Sequence, residues 1–463
     1  MKEVKDSAGR DGRGTTFARD WTKGSIIRNL LTLSWPIMIS SSLGTLGPTI
    51  DMIWVGKLGS AAIAGVGVGG MAVMLVMVGR WGINVGTRAI IARFVGAGDV
   101  KGANHVAQQA FVISAIYAIV MAAVGIFFTE PLLNLFGLEA DVIAEGVAYT
   151  RIMFIGSAAM SFRLMTDGIM QASGDAMTPM KIAIFFRLFH VALCPFLIFG
   201  WWIFPRLGVS GAAMTNIVSQ SLGTILGLGF LFTGRSRLRL TLRNFHLDLN
   251  IIWRIVKVGI PTSIMGMQRT LGNLVLIWRM VPFGTLAVAA HTLGQRVEML
   301  LFMPGMGLGM AAGVLAGQNL GAQQPERAEK SAWLAVGFME GFMVICSVAI
   351  LLWAENIIRV FNTEPGLVEK ASIFLRIATA GYLLLGFTVI LRHCLSGAGD
   401  TLAPMLLTLL MIWVVQLPLA FFLPQVTNLG MYGIRWAIVA GMVVGAAAYT
   451  IYFRLGRWKR KKI

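Results

Sequence analysis

One carboxylate, Asp51, stands in the first long apolar stretch of this 463-residue chain, SWPIMISSSLGTLGPTIDMIWVGKLG from Ser34 to Gly59. A run of ~20 apolar residues crosses a bilayer as a helix, and an acid inside such a span is costly and marks a functional site. Ser41, Thr45, Pro48 and Asp51 recur at intervals of three or four, so they share one helix face. Pro48 has no N–H to donate, and its ring crowds the carbonyl of Gly44, which leaves a bare backbone oxygen one turn below. A carboxylate beside hydroxyls and a freed carbonyl has the chemistry of a proton or cation site. The plainer alternative is an interfacial acid, because Asp51 lies toward one end of the span.

Three more spans carry polar faces. Arg187, His190 and Cys194 stand at i, i+3 and i+7; Arg269, Gly272, Asn273 and Arg279 lie close to one face; His291, Gln295 and Glu298 stand at i, i+4 and i+7. Polar faces in lipid turn toward the bundle interior or a wet cavity. They either line a central cavity or hold helices together by hydrogen bonds and buried ion pairs. Arg269 and Glu298 are the expected compensating pair, given the cost of a lone buried charge, with Asp51 the other acid open to Arg269. His190 with Cys194 is the one hint of a base and a nucleophile. No third polar group orients it and Pro195 follows, so no catalytic function is expected. The three cysteines, Cys194, Cys346 and Cys394, have no metal-ligand spacing.

The elements that must carry these faces follow from composition. The chain is 56% hydrophobic and 13% charged, against about 25% charged in soluble domains, so it is an all-α polytopic membrane protein. Its net charge of +18 fits positive loops on one membrane side better than a nucleic-acid partner. Apolar spans are expected at 26–55, 61–84, 104–128, 147–170, 180–204, 209–232, 251–280, 286–310, 329–353, 372–395, 405–424 and 431–455. Arg88, Arg93, Lys101, Lys181, Arg235 to Arg243, Arg327, Lys330 and the basic C-terminal tail fall in one set of loops. Glu130, Glu139, Asp141, Glu145, Glu355, Glu364 and Glu369 fall in the other. This bias predicts both termini in the cytoplasm.

An offset of 225 residues maps Pro36 onto Pro261, Gly59 onto Gly284, Gly96-Ala97 onto Gly321-Ala322, Phe136 onto Phe361 and Gly174-Asp175 onto Gly399-Asp400. The chain therefore reads as two six-helix lobes in a parallel repeat with a cavity between them. The expected organisation is a mobile basic tail at 1–23, an N-lobe at 24–234, a linker at 235–250, a C-lobe at 251–455 and a basic tail at 456–463. Asp51, Arg269 and His190 have no counterpart under the offset, so a structural role common to both lobes does not explain them. Gly305, Gly309, Gly313, Gly317 and Gly321 stand four apart, which lets helices pack closely. No nucleotide-binding or hydrolytic motif is present; the Gly65-x-Gly67-x-x-Gly70 pattern lacks a preceding soluble strand. Transport is then driven by a gradient or runs passively.

Trp35-Pro36, Asp51-Met52-Ile53-Trp54-Val55-Gly56-Lys57-Leu58-Gly59, Gln171-Ala172-Ser173-Gly174-Asp175, Gly317-Gln318-Asn319-Leu320-Gly321-Ala322 and Ser396-Gly397-Ala398-Gly399-Asp400 together resemble the multidrug and toxic compound extrusion (MATE) family of cation-coupled antiporters. The resemblance spans residues 24 to 455. It implies twelve helices in two lobes and export of diverse, often cationic, small molecules in exchange for protons or sodium. It also implies a monomer in the cell membrane, with no cofactor beyond the coupling ion. Asp51 matches the first-helix carboxylate of the family's coupling site. Where some members have Asn-x-x-x-Asp-Pro, this chain has His190-Val191-Ala192-Leu193-Cys194-Pro195, and where others place a seventh-helix glutamate it has Arg269. Sodium prefers several hard oxygen ligands, whereas a proton needs one titratable group, so the expectation is H+ rather than Na+, held by Asp51 with His190. Pro36, Pro48 and Pro261 are the expected hinges, with Pro48 bending as Asp51 gains its proton. Ser41, Thr45, Arg187, Cys194, Arg269, Asn273, His291, Gln295 and Glu298 are the expected cavity lining.

The expected substrate is an organic cation. Arg80, Arg187, Arg269 and Arg279 open an alternative, an anionic or lipid-linked substrate. This gains if they face open space and loses if they pair with Glu298, Glu340 or Asp167.

Overall fold

A computed structural model describes residues 20–134, 140–243, 245–461 and 463. Most of the tail expected at 1–23 lies outside the described residues, as do Phe136, Glu139 and the side chains of Thr45 and Asp141. The described chain forms α1 (Ile26–Val55), α2 (Ser60–Gly96), α3 (Val100–Phe127), a short α4 (Thr129–Asn134), α5 (Ala140–Ile155), α6 (Ser157–Ser173), α7 (Met177–Phe199) and α8 (Val209–Phe232). The second half forms α9 (Leu249–Met280), α10 (Thr285–Gly321), α11 (Pro325–Arg359), α12 (Pro365–Tyr382), α13 (Leu385–Gly397), α14 (Leu402–Leu409), α15 (Leu417–Val426) and α16 (Met431–Arg454). Among the described residues there is no strand.

Two pairs act as single bent spans: α5 with α6, bent by 47°, and α12 with α13, bent by 54°. A π-helical turn, Leu410–Gln416, joins α14 to α15. It lies just before Pro418, which has no N–H to continue an α-helical ladder. Counted this way there are twelve long segments among the described residues, and eleven are long and apolar enough to cross a bilayer, α2 with a 41° bend between Met74 and Met77. The twelfth, α9, is 32 residues long and carries Arg254, Lys257, Arg269 and Arg279. The expected spans fall on these segments, but several helices run further than hydropathy suggested. α2 reaches Gly96, so Arg88 and Arg93, read above as loop residues, are helical.

The repeat is visible in the backbone. α2 and α10 have the same length and are offset by 225 residues at both ends. Gly59 and Gly284, each before one of these helices, both have positive φ, at 123° and 89°. Gly174 and Gly399 do too, at 95° and 84°, a region that glycine reaches without steric penalty. The lobes meet where α2 and α10 end. A Cβ on Gly96 would sit 1.9 Å from the Gln318 carbonyl oxygen, and one on Gly321 would sit 2.1 Å from that of Arg93. These two contacts are equivalents under the offset. Arg93 Nη2 also donates to the Ala398 carbonyl at 2.9 Å, and Gln318 Nε2 to that of Ala172 at 2.8 Å. Bare backbone thus closes the bundle at this end, and the small-residue spacing in α10 serves packing, as the sequence suggested.

Candidate functional site

Two polar regions result, one inside the first lobe and one between the lobes. In the first, α1 brings Asp51 against α7. His190 Nε2 lies 2.8 Å from Asp51 Oδ1, and the Cys194 thiol donates to the same oxygen at 3.6 Å. Asp51 is 2% and His190 1% exposed, and Cys194 belongs to an apolar cluster with Val55, Met77, Phe154 and Ile198. The i, i+3, i+7 spacing on α7 puts Arg187 one turn from His190. Its Nη2 donates to the Gly44 carbonyl at 3.4 Å, the oxygen that Pro48 deprives of its helical partner. Gly47 makes room for this guanidinium, since a Cβ there would lie 2.1 Å from Arg187 Nη1. Pro36, Pro48 and Pro261 all lie inside continuous helices.

In the second region, a cavity of about 700 Å³ separates the lobes. Of the expected lining, Ser41, Arg269, Asn273, Gln295 and Glu298 border it. Arg187 and Cys194 instead belong to the Asp51 cluster, because α7 packs that face onto α1 within the lobe. His291 is fully buried behind the wall, where Gln295 Nε2 bridges its Nε2 and the Asn273 Oδ1.

The expected Arg269–Glu298 pair does not form. Glu298 Oε1 accepts from Arg435 Nη1 at 2.8 Å, and Arg435 also donates from Nη2 to the His291 carbonyl at 3.3 Å. α16 supplies this arginine, and Gly294 admits it, since a Cβ there would lie 2.5 Å from Arg435 Nη2. Asp167, the other acid on the wall, pairs with Arg163 one turn earlier on α6, at 2.7 Å. The remaining cavity arginines, Arg88, Arg269 and Arg392, form no ion pair with the described acids. Arg88 donates from Nη2 to the Met310 carbonyl, at 3.4 Å. Arg279 turns away to the carbonyl and ring of Phe421, and neither it nor Arg80 borders the cavity.

Sequence reasoning missed Arg88, Arg163, Arg392 and Arg435 as cavity residues. A signal existed for one of them. The offset maps Asp167 onto Arg392, a charge reversal at one repeat position. The rest of the wall is soft: Met299, Met303, Met306, Met310, Met411 and Met442 face the space together with Trp81.

Comparison with known proteins places these features in a lineage. The MatE family model matches residues 36–196 and again 261–422. The probable multidrug resistance protein YpnP of Bacillus subtilis is 28% identical, over 96% of this chain and 99% of that protein. A FAD transporter of Shewanella oneidensis is 25% identical, over 92% of this chain and 94% of its own length. Among solved structures, a MOP superfamily transporter from Pyrococcus furiosus superposes with a TM-score of 0.89 at 25% identity, covering 96% of this chain and 98% of the other. That protein is described as having a binding pocket of reverse polarity that suggests a different function.

Proposed function

Because the chain belongs to the MatE family of multidrug efflux transporters and is not an enzyme, we propose that it exports small organic anions across the cell membrane in exchange for protons. One observation carries the substrate class. Among the described residues five arginines border the cavity against two acids, and each acid already holds one of the five. The remaining charge of Arg88, Arg269 and Arg392 repels an organic cation and attracts an anion. This favours the alternative raised from the sequence over the cation suggested by family resemblance. The names given to two relatives agree with it: FAD carries a diphosphate, and the reverse-polarity pocket belongs to a close structural neighbour. Flexible, polarizable methionines around the same space suit several apolar bodies on one anionic head.

The Asp51–His190 pair supports proton coupling. An imidazole and a thiol surround the carboxylate, where sodium prefers hard oxygen. With no shared proton the pair carries one negative charge; with one it is a neutral ion pair; with two it is positive. Each step changes what this dry pocket tolerates. The change has a mechanical route to the cavity, because α7 carries both His190 and Arg187, and Arg187 holds the Gly44 carbonyl on the cavity wall. Shifting α7 against α1 therefore reshapes the substrate site, and the ligand moves the equilibrium only as far as its affinity differs between the two shapes. With the basic loops inside, the crossing of α2 and α10 is the cytoplasmic seal and the conformation faces outward.

The test is transport in proteoliposomes under a pH gradient or a sodium gradient, using one fluorescent organic anion and one organic cation, for wild type and Asp51→Asn. The expected outcome is anion movement driven by the pH gradient and lost in the variant. Cation movement without anion movement refutes the substrate class, and sodium-driven transport refutes the coupling ion.

A further inference from the structure

Away from the cavity and the Asp51 cluster, the connection between the halves holds a second group of ligating side chains. His105 lies on α3, while His246 and Asp248 lie on the segment entering α9. His105 Nε2 and Asp248 Oδ2 are 3.2 Å apart, and the rings of His105 and His246 stack with centroids 4.5 Å apart. One ligating atom from each of the three lies within 4.8 Å of the other two. A tetrahedral zinc ion with ligands at about 2.0–2.2 Å holds neighbouring ligand atoms about 3.3 Å apart. The His105–Asp248 edge already has that length. Turning the exposed His246 ring out of its stack on His105, so that its ring nitrogen faces the same point, closes the set.

The surroundings hold these groups in place. Asp248 caps α9 through its other oxygen, Oδ1, which accepts from the N–H groups of Asn250 at 2.9 Å and Ile251 at 3.2 Å. That leaves Oδ2 for His105. Gln109, one turn beyond His105, donates to the His246 carbonyl at 2.7 Å and accepts from the Asp248 N–H at 3.2 Å. Gln108 donates to the Thr241 carbonyl. Partners of this kind orient ligands. His105 and Asp248 are half-buried and His246 is exposed, so an ion can reach them.

We propose that His105, His246 and Asp248 form a binding site for a divalent transition-metal ion, with Zn2+ the best fit, that clips the inter-lobe connection to α3. Two imidazoles and one carboxylate, with water in the fourth position, suit zinc, copper or nickel; magnesium and calcium require more oxygen. The clip joins α3 of the first half to the N-terminus of α9. α9 in turn packs along α2, where a Cβ on Gly82 or Gly86 would lie 2.4 Å from the carbonyl oxygen of Gly259 or Ile255. A bound ion holds α9 in this arrangement and slows the alternation of the lobes.

The test uses the full chain, purified in detergent with any affinity tag removed, titrated with Zn2+ against a chromophoric chelator. One Zn2+ binds per chain. His105→Ala and His246→Ala each weaken it at least about tenfold. Asp248→Asn keeps the cap oxygen but loses the ligand charge and weakens it as well, while Cys194→Ser leaves it unchanged. Co2+ in place of Zn2+ gives the visible absorption of a tetrahedral ion without a thiolate charge-transfer band. Saturating Zn2+ slows wild-type transport and leaves the His105→Ala/His246→Ala protein at its metal-free rate. The site is overturned if no Zn2+ binds or if the double variant binds as wild type does. It is also overturned if binding follows Cys194 and carries a thiolate band, which assigns the ion to the Asp51 cluster. Equal inhibition of both proteins overturns the clip.

Discussion

Arg392→Gln isolates the charge argument. Arg392 borders the cavity, forms no ion pair with the described acids and has a buried Nε with no hydrogen-bond partner. A sphere of the cavity's volume, about 700 Å³, has a radius of about 5.5 Å, which puts an anion near its centre about 6 Å from a guanidinium on the wall. At an effective dielectric constant of about 20, that attraction is about 3 kcal/mol. Removing the arginine also relieves its own desolvation and its repulsion from Arg269, so a net loss of about 1.5–2.5 kcal/mol remains, roughly tenfold to a hundredfold in affinity. The assay is initial-rate transport of an organic monoanion in proteoliposomes at fixed pH gradient, with an organic cation measured in parallel. The KM for the anion rises by roughly tenfold to a hundredfold, the cation's KM stays or falls, and thermal stability in detergent does not drop. An unchanged anion KM, or equal weakening for both substrates, refutes the reasoning.

Two further outcomes follow from the packing. Glu298→Gln strands the Arg435 guanidinium, 2% exposed, and breaking such a pair costs about 3–5 kcal/mol; a clearly lowered thermal midpoint is expected, and Glu298→Gln/Arg435→Met recovers most of it. Gly96→Ala and Gly321→Ala each press a Cβ onto a carbonyl oxygen about 2 Å away, and overpacking of this kind costs about 1–3 kcal/mol. Because the strain exists only while the lobes touch, both variants shift the population toward the arrangement open at that end. Increased labelling of a cysteine placed beside Gln318 measures the shift, and unchanged labelling with normal transport counts against this crossing as the seal.

Composition, span spacing and the constant offset of 225 residues were enough to read an all-α membrane protein of two similar halves. Two local features of the site were equally legible: the lone carboxylate of Asp51, and the Gly44 carbonyl that Pro48 leaves without a helical donor. Both depend only on covalent chemistry and helical periodicity. Partners were legible in part. The family resemblance put His190 in the coupling site with Asp51, and the two meet across 139 residues, but nothing pointed from Glu298 to Arg435, 137 residues further on. Periodicity tells which face of a helix a side chain occupies, but the neighbouring helix and its depth decide what that face meets. Arg269 and Glu298 had compatible charges and plausible faces, yet Gly294 gave the space beside Glu298 to an arginine from the last helix. The cavity's charge was hidden for the same reason. Arg88 looked like a loop base because hydropathy ends a span where charge begins. Only the packed bundle, in which α2 continues to Gly96 and turns Arg88 onto the wall, places that charge between the lobes. Amino-acid types set the inventory of charge; the docking of helices decided which charges cancel and which remain for a substrate.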